Sequence, residues 1–333
     1  VMNANRLLLL IMSVLIAGCG SKDGDTSSAS DPNMPIIVPE SITVSGISSG
    51  AYMAGQLHVA HSSIVNGAGM IAGGPYDCAQ NPMQRARGPC INGDGLTIDT
   101  ALGSARAAAA DQAIDSLDNL RDDPVWLFHG SNDSVVARDI VDASGRFYDS
   151  LGTTKIARVF DVPATHGIPT LSNGSACDTF AAPYLLACDF DAAGQLLEHL
   201  LGPLQPRQTA SGTLRRVDQS DFKDAEFLDE GFVYVPDQCT RKRCKLHVVF
   251  HGCQQSAEFV GAAIAEGAGY NEWADGNDLV ILYPQVAASR LVPLNPLGCW
   301  DWWGYTGDDY ARQSGAQIRA IKTMIDRLAG PLK

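Results

Sequence analysis

Gly46-Ile47-Ser48-Ser49-Gly50 stands between a β-prone run over 41–46 (SITVSG) and an Ala-rich helical pattern over 50–62. Turning a strand into a helix within five residues is sterically demanding. Glycine at both ends lets the chain turn tightly and lets the helix approach the strand. The serine between them is then presented above a helix N-terminus, whose dipole favours a developing negative charge. Such a junction requires a sheet whose strands lead into helices. Yet it lies close to the start of the chain, with too few residues ahead of it to supply half a sheet.

The rest of the sequence continues the alternation. Strands are predicted at 41–46, 66–72, 124–129, 155–162, 231–235, 245–250 and 279–284, and helices at 50–62, 101–120, 136–151, 191–201, 256–275 and 309–329. Strands alternating with helices give an α/β fold with a mainly parallel central sheet flanked by helices. The Pro-rich stretch 203–206 separates two halves, neither of which holds a complete sheet, so residues 41–333 read as a single catalytic domain.

In an open α/β sheet, chemistry gathers at the carboxyl ends of the strands. Ser48 follows the first strand; "VWLFHGSND" ends a strand and places Asp133 in the next loop; "VFDVPATHG" ends another and places His166 in its loop. Serine is a weak nucleophile that needs a base, and the base needs an acid to orient it. The chain order Ser48, Asp133, His166 is that of α/β-hydrolases. Of the other histidines, His58, His61 and His199 fall on helices, His247 within a strand, and His129 and His251 in H-G turns, where structural roles suit them better. Asp122 and Asp123 precede their strand and Asp139 falls within a helix, which favours Asp133 as the acid.

The missing half of the sheet lies at the back of the chain. "KLHVVFHGCQQS" is a buried-type strand, a His251-Gly252-Cys253 turn and a helix, like the oxyanion turn that ordinarily precedes the nucleophile. With residues 210–333 moved in front of residue 41 the order becomes regular, which predicts a circularly permuted α/β-hydrolase fold. Its oxyanion hole would use the backbone N–H groups of Ser49 and Cys253.

Residues 1–19 read as an export signal: Arg6, the apolar run "LLLLIMSVLIAG", and Ile16-Ala17-Gly18-Cys19, which resembles a bacterial lipobox and implies acylation of Cys19. Residues 20–40, rich in Gly, Ser, Asp and Pro, read as a flexible linker. The expected location is outside the cell, free or tethered to the outer membrane through Cys19. Eight further cysteines remain, an even number that suits disulfides in an exported protein. Closeness suggests Cys78–Cys90, Cys177–Cys188 and Cys239–Cys244, which leaves Cys253 and Cys299. A net charge of −13 argues against nucleic acid as a partner, and without a C-x-x-C pair a metal site is not expected.

Taken together, "GISSGAYMAGQLHVAHS", "HGSND", "ATHGIPT", "VVFHGCQQS" and "NPLGCWDWWGY" resemble the extracellular poly(3-hydroxybutyrate) depolymerases of the single-domain, circularly permuted kind, from about residue 41 to 330. The resemblance implies a secreted serine esterase that needs no cofactor and hydrolyses a short-chain aliphatic polyester. It implies Ser48, Asp133 and His166 as triad, Ser49 and Cys253 as amide donors, and the four disulfide pairs named above. It also implies that a Trp of C-W-D-W-W lines the substrate subsite. Trp302 is the favoured candidate, with Trp303, Asn295 and Tyr52 beside it. A carbohydrate esterase, feruloyl or acetyl-xylan, would use the same triad. The partner expected is a polyester surface and the protein a monomer. With no separate binding domain read after the catalytic one, adsorption is expected to use Leu291, Val292, Leu294 and Leu297 of "RLVPLNPLG".

Overall fold

A computed structural model describes residues 35–81 and 83–329. The predicted export signal, Cys19 and most of the predicted linker therefore lie outside the described residues. Four strands come first: β1 (Ile36–Ile47), β2 (Val65–Ile71), β3 (Val125–Phe128) and β4 (Ile156–Val159). Three short strands, β5 (Ile168–Thr170), β6 (Ser175–Ala176) and β7 (Leu185–Ala187), form a small separate sheet. Four more follow: β8 (Thr213–Asp218), β9 (Glu230–Val235), β10 (Arg243–Phe250) and β11 (Leu279–Tyr283).

The large sheet has eight strands in the order β4-β3-β2-β1-β10-β11-β9-β8. It is parallel from β4 to β11, and β9 and β8 are antiparallel. Started at β8, the chain visits β8, β9, β10, β11 and then β1 to β4. That is the regular α/β-hydrolase path entered in its middle, so the fold is circularly permuted. β1 sits at the centre, with β2 on one side and β10 on the other. Ser45 pairs with Gly69 and Val249, and Gly46 with Met70 and Phe250.

The sequence dictates this burial. β3 (VWLF) and β11 (LVILY) are buried at every residue, as strands covered on both faces must be. The helix Ser49–Ala60 is buried all round, the pattern of a helix packed in the interior. By contrast the edge strand β8, "TLRRVD", is half-exposed and carries two arginines, so it shows no apolar run; this strand was not predicted.

The predicted elements differ elsewhere. β1 begins at Ile36, pairing with Arg243, so the linker ends before residue 40; the β-prone "IIV" extends the strand. The predicted helix 256–275 is three short pieces, interrupted where Gly261 takes φ +60° and Gly269 φ +92°. The last helix starts at Ala316, because 309–315 are turns. All four disulfides suggested by closeness and resemblance are present.

Two histidines are buried in the middle of the molecule. In β10, His247 has Nδ1 2.8 Å from Thr43 Oγ1 and Nε2 2.8 Å from Ser45 Oγ. Burial pushes its imidazole down from the ordinary 6.5 to about 3. His251 is likewise pushed down to about 4 by burial, against the opposing pull of the Gly252 carbonyl. Both stay neutral in the folded protein where the unfolded chain takes up protons. Stability should therefore fall as pH drops below 6.5, by up to about 1.4 kcal/mol per pH unit for each histidine. The loss should level off below about 4 for His251 and below about 3 for His247. Urea melts between pH 7 and 4.5 measure the slope; a flat profile would show that these imidazoles are not held neutral.

Candidate active site

The turn at Ser48 is fixed by contacts on three sides. Ser48 has φ +56° and ψ −121°, a conformation that costs a non-glycine residue on the order of 1–3 kcal/mol and marks sites held by their surroundings. Its N–H donates to the Ile71 carbonyl at the end of β2 (2.9 Å), and its own carbonyl starts the helix through Ala51 and Tyr52. A Cβ on Gly46 would lie 2.3 Å from the Gly50 oxygen, and one on Gly50 2.3 Å from the Phe250 oxygen. The two glycines are thus required by how closely the turn and β10 approach.

Asp133 and His166 come from the loops after β3 and β4. The loops are joined by Ser131 N–H to Val162 O (2.8 Å) and Asn132 N–H to Ala164 O (3.1 Å). His166 Nδ1 lies 2.7 Å from Asp133 Oδ2. The other carboxylate oxygen, Oδ1, accepts from the N–H groups of Val135 (2.8 Å) and Val136 (3.0 Å). Burial works to raise the Asp133 carboxyl, but the His166 hydrogen bond and charge, with the two amides, outweigh it and hold the group below the usual carboxylate range. An ionised Asp133 accepts only, so Nδ1 carries a proton and, in the neutral imidazole, the lone pair is at Nε2. His166 and Ser48 line one cavity of about 260 Å³.

The competing residues are engaged elsewhere. His58 Nε2 is 3.1 Å from Asp123 Oδ2, and its Nδ1 is 2.9 Å from the Tyr148 hydroxyl. His129 Nε2 bonds the Val136 carbonyl (2.9 Å), bracing the loop that carries Asp133. His199 bonds the Lys155 carbonyl (3.0 Å). His251 donates from Nδ1 to the Gly252 carbonyl (2.7 Å) and accepts at Nε2 from Val286 N–H (3.2 Å). Both its nitrogens are spent on shaping the turn, which suits an imidazole kept neutral.

That turn supplies the opposite wall. The amides flanking Cys253 are occupied: Gly252 N–H donates to Gln255 Oε1 (2.6 Å) and Gln254 N–H to the Leu297 carbonyl (2.7 Å). Cys253 is bonded to Cys299, and Ser49 and Cys253 both line the cavity.

Of the four candidate substrate contacts, the cavity takes two. Tyr52 and Trp302 line it, stacked with ring centroids 4.5 Å apart. The Tyr52 hydroxyl donates to the Cys90 carbonyl, which fixes the pair. Trp303 and Asn295 do not line it. Trp303 packs behind, edge-on to Trp302 and tilted against Tyr305. Asn295 is buried, and its side chain closes a turn by accepting from Cys299 N–H and donating to Cys299 O, both 2.9 Å. Phe180, Tyr184, Ile91 and Val135 also line the cavity and were missed. One signal could have found the first two: they lie between Cys177 and Cys188, in a short closed loop just after His166.

No family model matches the chain. Two curated relatives are similar to it. One, the poly(3-hydroxybutyrate) depolymerase of Delftia acidovorans, is 40% identical over 299 residues, covering 86% of this chain and 59% of the relative. The chain thus spans somewhat under two thirds of that relative's length. The other, a polyhydroxybutyrate depolymerase of Talaromyces funiculosus, is 35% identical over 311 residues, covering 87% of this chain and 90% of the relative. Among solved structures, PHB depolymerase from Penicillium funiculosum superimposes with a TM-score of 0.84 at 33% identity. A serine-to-alanine variant of PHB depolymerase complexed with R3HB trimer gives 0.84 at 32% identity. Each of the two covers 89% of this chain and 98% of its own.

Replacing Asp133 by Asn would put a donor where Nδ1–H needs an acceptor and favour the wrong tautomer of His166. Turnover of a soluble aryl ester should fall on the order of 10³- to 10⁴-fold, with KM little changed. A variant that keeps a tenth of the rate would remove Asp133 from this role.

Proposed function

The chain belongs to the poly(3-hydroxybutyrate) depolymerase family, and we propose that it is an extracellular serine esterase that hydrolyses a poly(3-hydroxyalkanoate) through an acyl-enzyme. The observation that carries the substrate class is the cleft. Ser48 and His166 share a cavity walled by Ile47, Tyr52, Ile91, Phe180, Tyr184 and Trp302, which suits a methyl-bearing aliphatic chain. The carbohydrate-esterase reading is not favoured, because the relatives and structural neighbours are all named as depolymerases of the polyester.

In the proposed reaction His166 Nε2 takes the Ser48 hydroxyl proton as Oγ attacks the ester carbonyl carbon. The carbonyl oxygen becomes an oxyanion received by the N–H groups of Ser49 and Cys253. The carbon–oxygen bond to the leaving alcohol breaks, and the His166 proton passes to that oxygen. Water, deprotonated by the same nitrogen, then releases the hydroxyacid and restores Ser48. The Asp133 carboxylate orients the imidazole and stabilises it when charged.

The polymer is a solid, so the protein must adsorb before it cuts. Leu291 is 83% exposed, Val292 95% and Leu294 56%. Leu297, at the end of the same segment, also lines the cleft. An apolar surface continuous with the cleft rim supports adsorption beside the site. Four disulfides mark a protein of an oxidising, extracellular compartment. The stretch Ile16-Ala17-Gly18-Cys19 supports the finer reading of a lipid-tethered form.

Wild-type protein should clear a poly(3-hydroxybutyrate) film and release 3-hydroxybutyrate species, and Ser48→Ala should do neither; absence of clearing by active wild type would overturn the polyester reading. Asp at both Leu291 and Val292 should cut film clearing severalfold and leave soluble-ester turnover within about twofold; equal loss of both would rule out an adsorption role. Cys19→Ala should move the exported protein from the detergent phase to the aqueous phase of a Triton X-114 extract; unchanged partitioning would exclude the lipid anchor.

A further inference from the structure

Gln255 occupies a position that no catalytic step above uses. It is 3% exposed and spans two elements with one side chain. Its Oε1 accepts from Gly252 N–H (2.6 Å), in the turn that carries Cys253, and its Nε2 donates to the Pro183 carbonyl (3.1 Å). Pro183 belongs to the loop closed by Cys177–Cys188, which carries Phe180 and Tyr184 into the cleft. The neighbouring Gln254 repeats the link, with its Oε1 3.3 Å from the Tyr184 hydroxyl.

The same loop is also fastened to the base. Thr165 N–H donates to Cys177 O (2.9 Å) and Ile168 N–H to Tyr184 O (2.9 Å), one on each side of His166. Phe180 stands edge-on to the His166 ring at 6.1 Å and packs on Tyr184 at 4.9 Å. One disulfide-closed loop therefore connects the segment that holds the base to the turn that holds an oxyanion donor. The connection is made by two neighbouring amide side chains, Gln255 to the Pro183 carbonyl and Gln254 to the Tyr184 hydroxyl, and of the two only Gln255 also holds the Gly252 N–H.

We propose that Gln255 is a positioning residue: it sets where the Cys253 amide points and ties that donor to the 177–188 loop against which the acyl chain lies. Glutamine suits the task because it is the side chain of this length with both an acceptor for Gly252 N–H and a donor for Pro183 O. An apolar replacement leaves the buried Gly252 N–H and the half-buried Pro183 carbonyl without this partner and frees the turn to shift. Misplacement of an oxyanion donor by about 1 Å can cost on the order of 100-fold in rate. The inference rests on the serine-esterase reading and on Cys253 as a donor, though not on the polymer as substrate.

The test uses the full-length protein and p-nitrophenyl butyrate. Gln255→Met should lower kcat on the order of 10- to 100-fold with KM within about twofold, because the donor acts on the transition state. Gln255→Glu separates positioning from folding. Its protonated carboxyl reproduces both contacts, carbonyl oxygen to Gly252 N–H and O–H to Pro183 O, whereas its carboxylate cannot donate and places charge beside the oxyanion. The kcat ratio of Gln255→Glu to wild type should therefore rise severalfold as pH falls from 8 to 5.5, with circular dichroism unchanged across that range. A pH-independent ratio, or a Gln255→Met kcat within twofold of wild type, overturns the proposal. Wild type inert on the soluble ester would instead overturn the esterase reading beneath it.

Discussion

The pairing of β1 with β10 is the constraint on which the site depends. It joins segments about two hundred residues apart and sets the Ser48 turn directly against the turn at 251–253. The approach is so close that neither Gly46 nor Gly50 has room for a methyl group beside Gly50, Phe250 or His251. Ser48 keeps its strained φ because β2, β10 and the buried helix behind it leave no alternative. The permutation leaves this centre intact. It joins the edge strands β4 and β8 through the chain and opens the path in the middle, before β1, while the strand order stays that of a regular α/β-hydrolase.

Polar groups near that centre are spent on structural hydrogen bonds, to backbone or to buried hydroxyls. His251 spends both nitrogens on Gly252 and Val286, and His247 spends both on Thr43 and Ser45. Their burial excludes protons, so neither competes with His166 as a base at neutral pH. Asp301 works in the same way in the aromatic loop. Its carboxylate accepts from the N–H groups of Trp303, Gly304, Tyr305 and Thr306. That fan of bonds folds the segment so that Trp302 meets Tyr52 and Trp303 turns behind it.

The sheet's central strands and the loops that gather Ser48, Asp133 and His166 were legible because they follow strong local rules. A buried parallel strand is a continuous apolar run, and a loop at its carboxyl end bearing Ser48, Asp133 or His166 stands out against it. β8 was not legible, since a charged edge strand has no apolar face to betray it. The helix read over 256–275 failed for another reason: its apolar periodicity is real, but Gly261 and Gly269 adopt backbone angles no helix contains. Asn295, named with Trp302 as a substrate contact, turns its amide to the Cys299 backbone, a local turn that the sequence does not reveal. Phe180 and Tyr184 were missed because loops of low regularity carry no period to read.

That irregularity explains where the disulfides are. Much of the cleft wall comes from loops, which bury little apolar surface of their own and so hold position weakly. Three of the four bridges sit at those walls. Cys78–Cys90 fixes the carbonyl that receives Tyr52 and the backbone leading to Ile91. Cys177–Cys188 closes the loop of Phe180 and Tyr184, and Cys253–Cys299 joins the 251–253 turn to the segment leading to Trp302. The first two close loops with sequence separations of only 12 and 11 residues. Loop-closure entropy grows with loop length, so such short crosslinks constrain the unfolded chain less than long ones do. Their placement follows local geometry better than global stability. A cleft whose walls rest partly on loops is held in place by covalent ties that anchor those loops to the core.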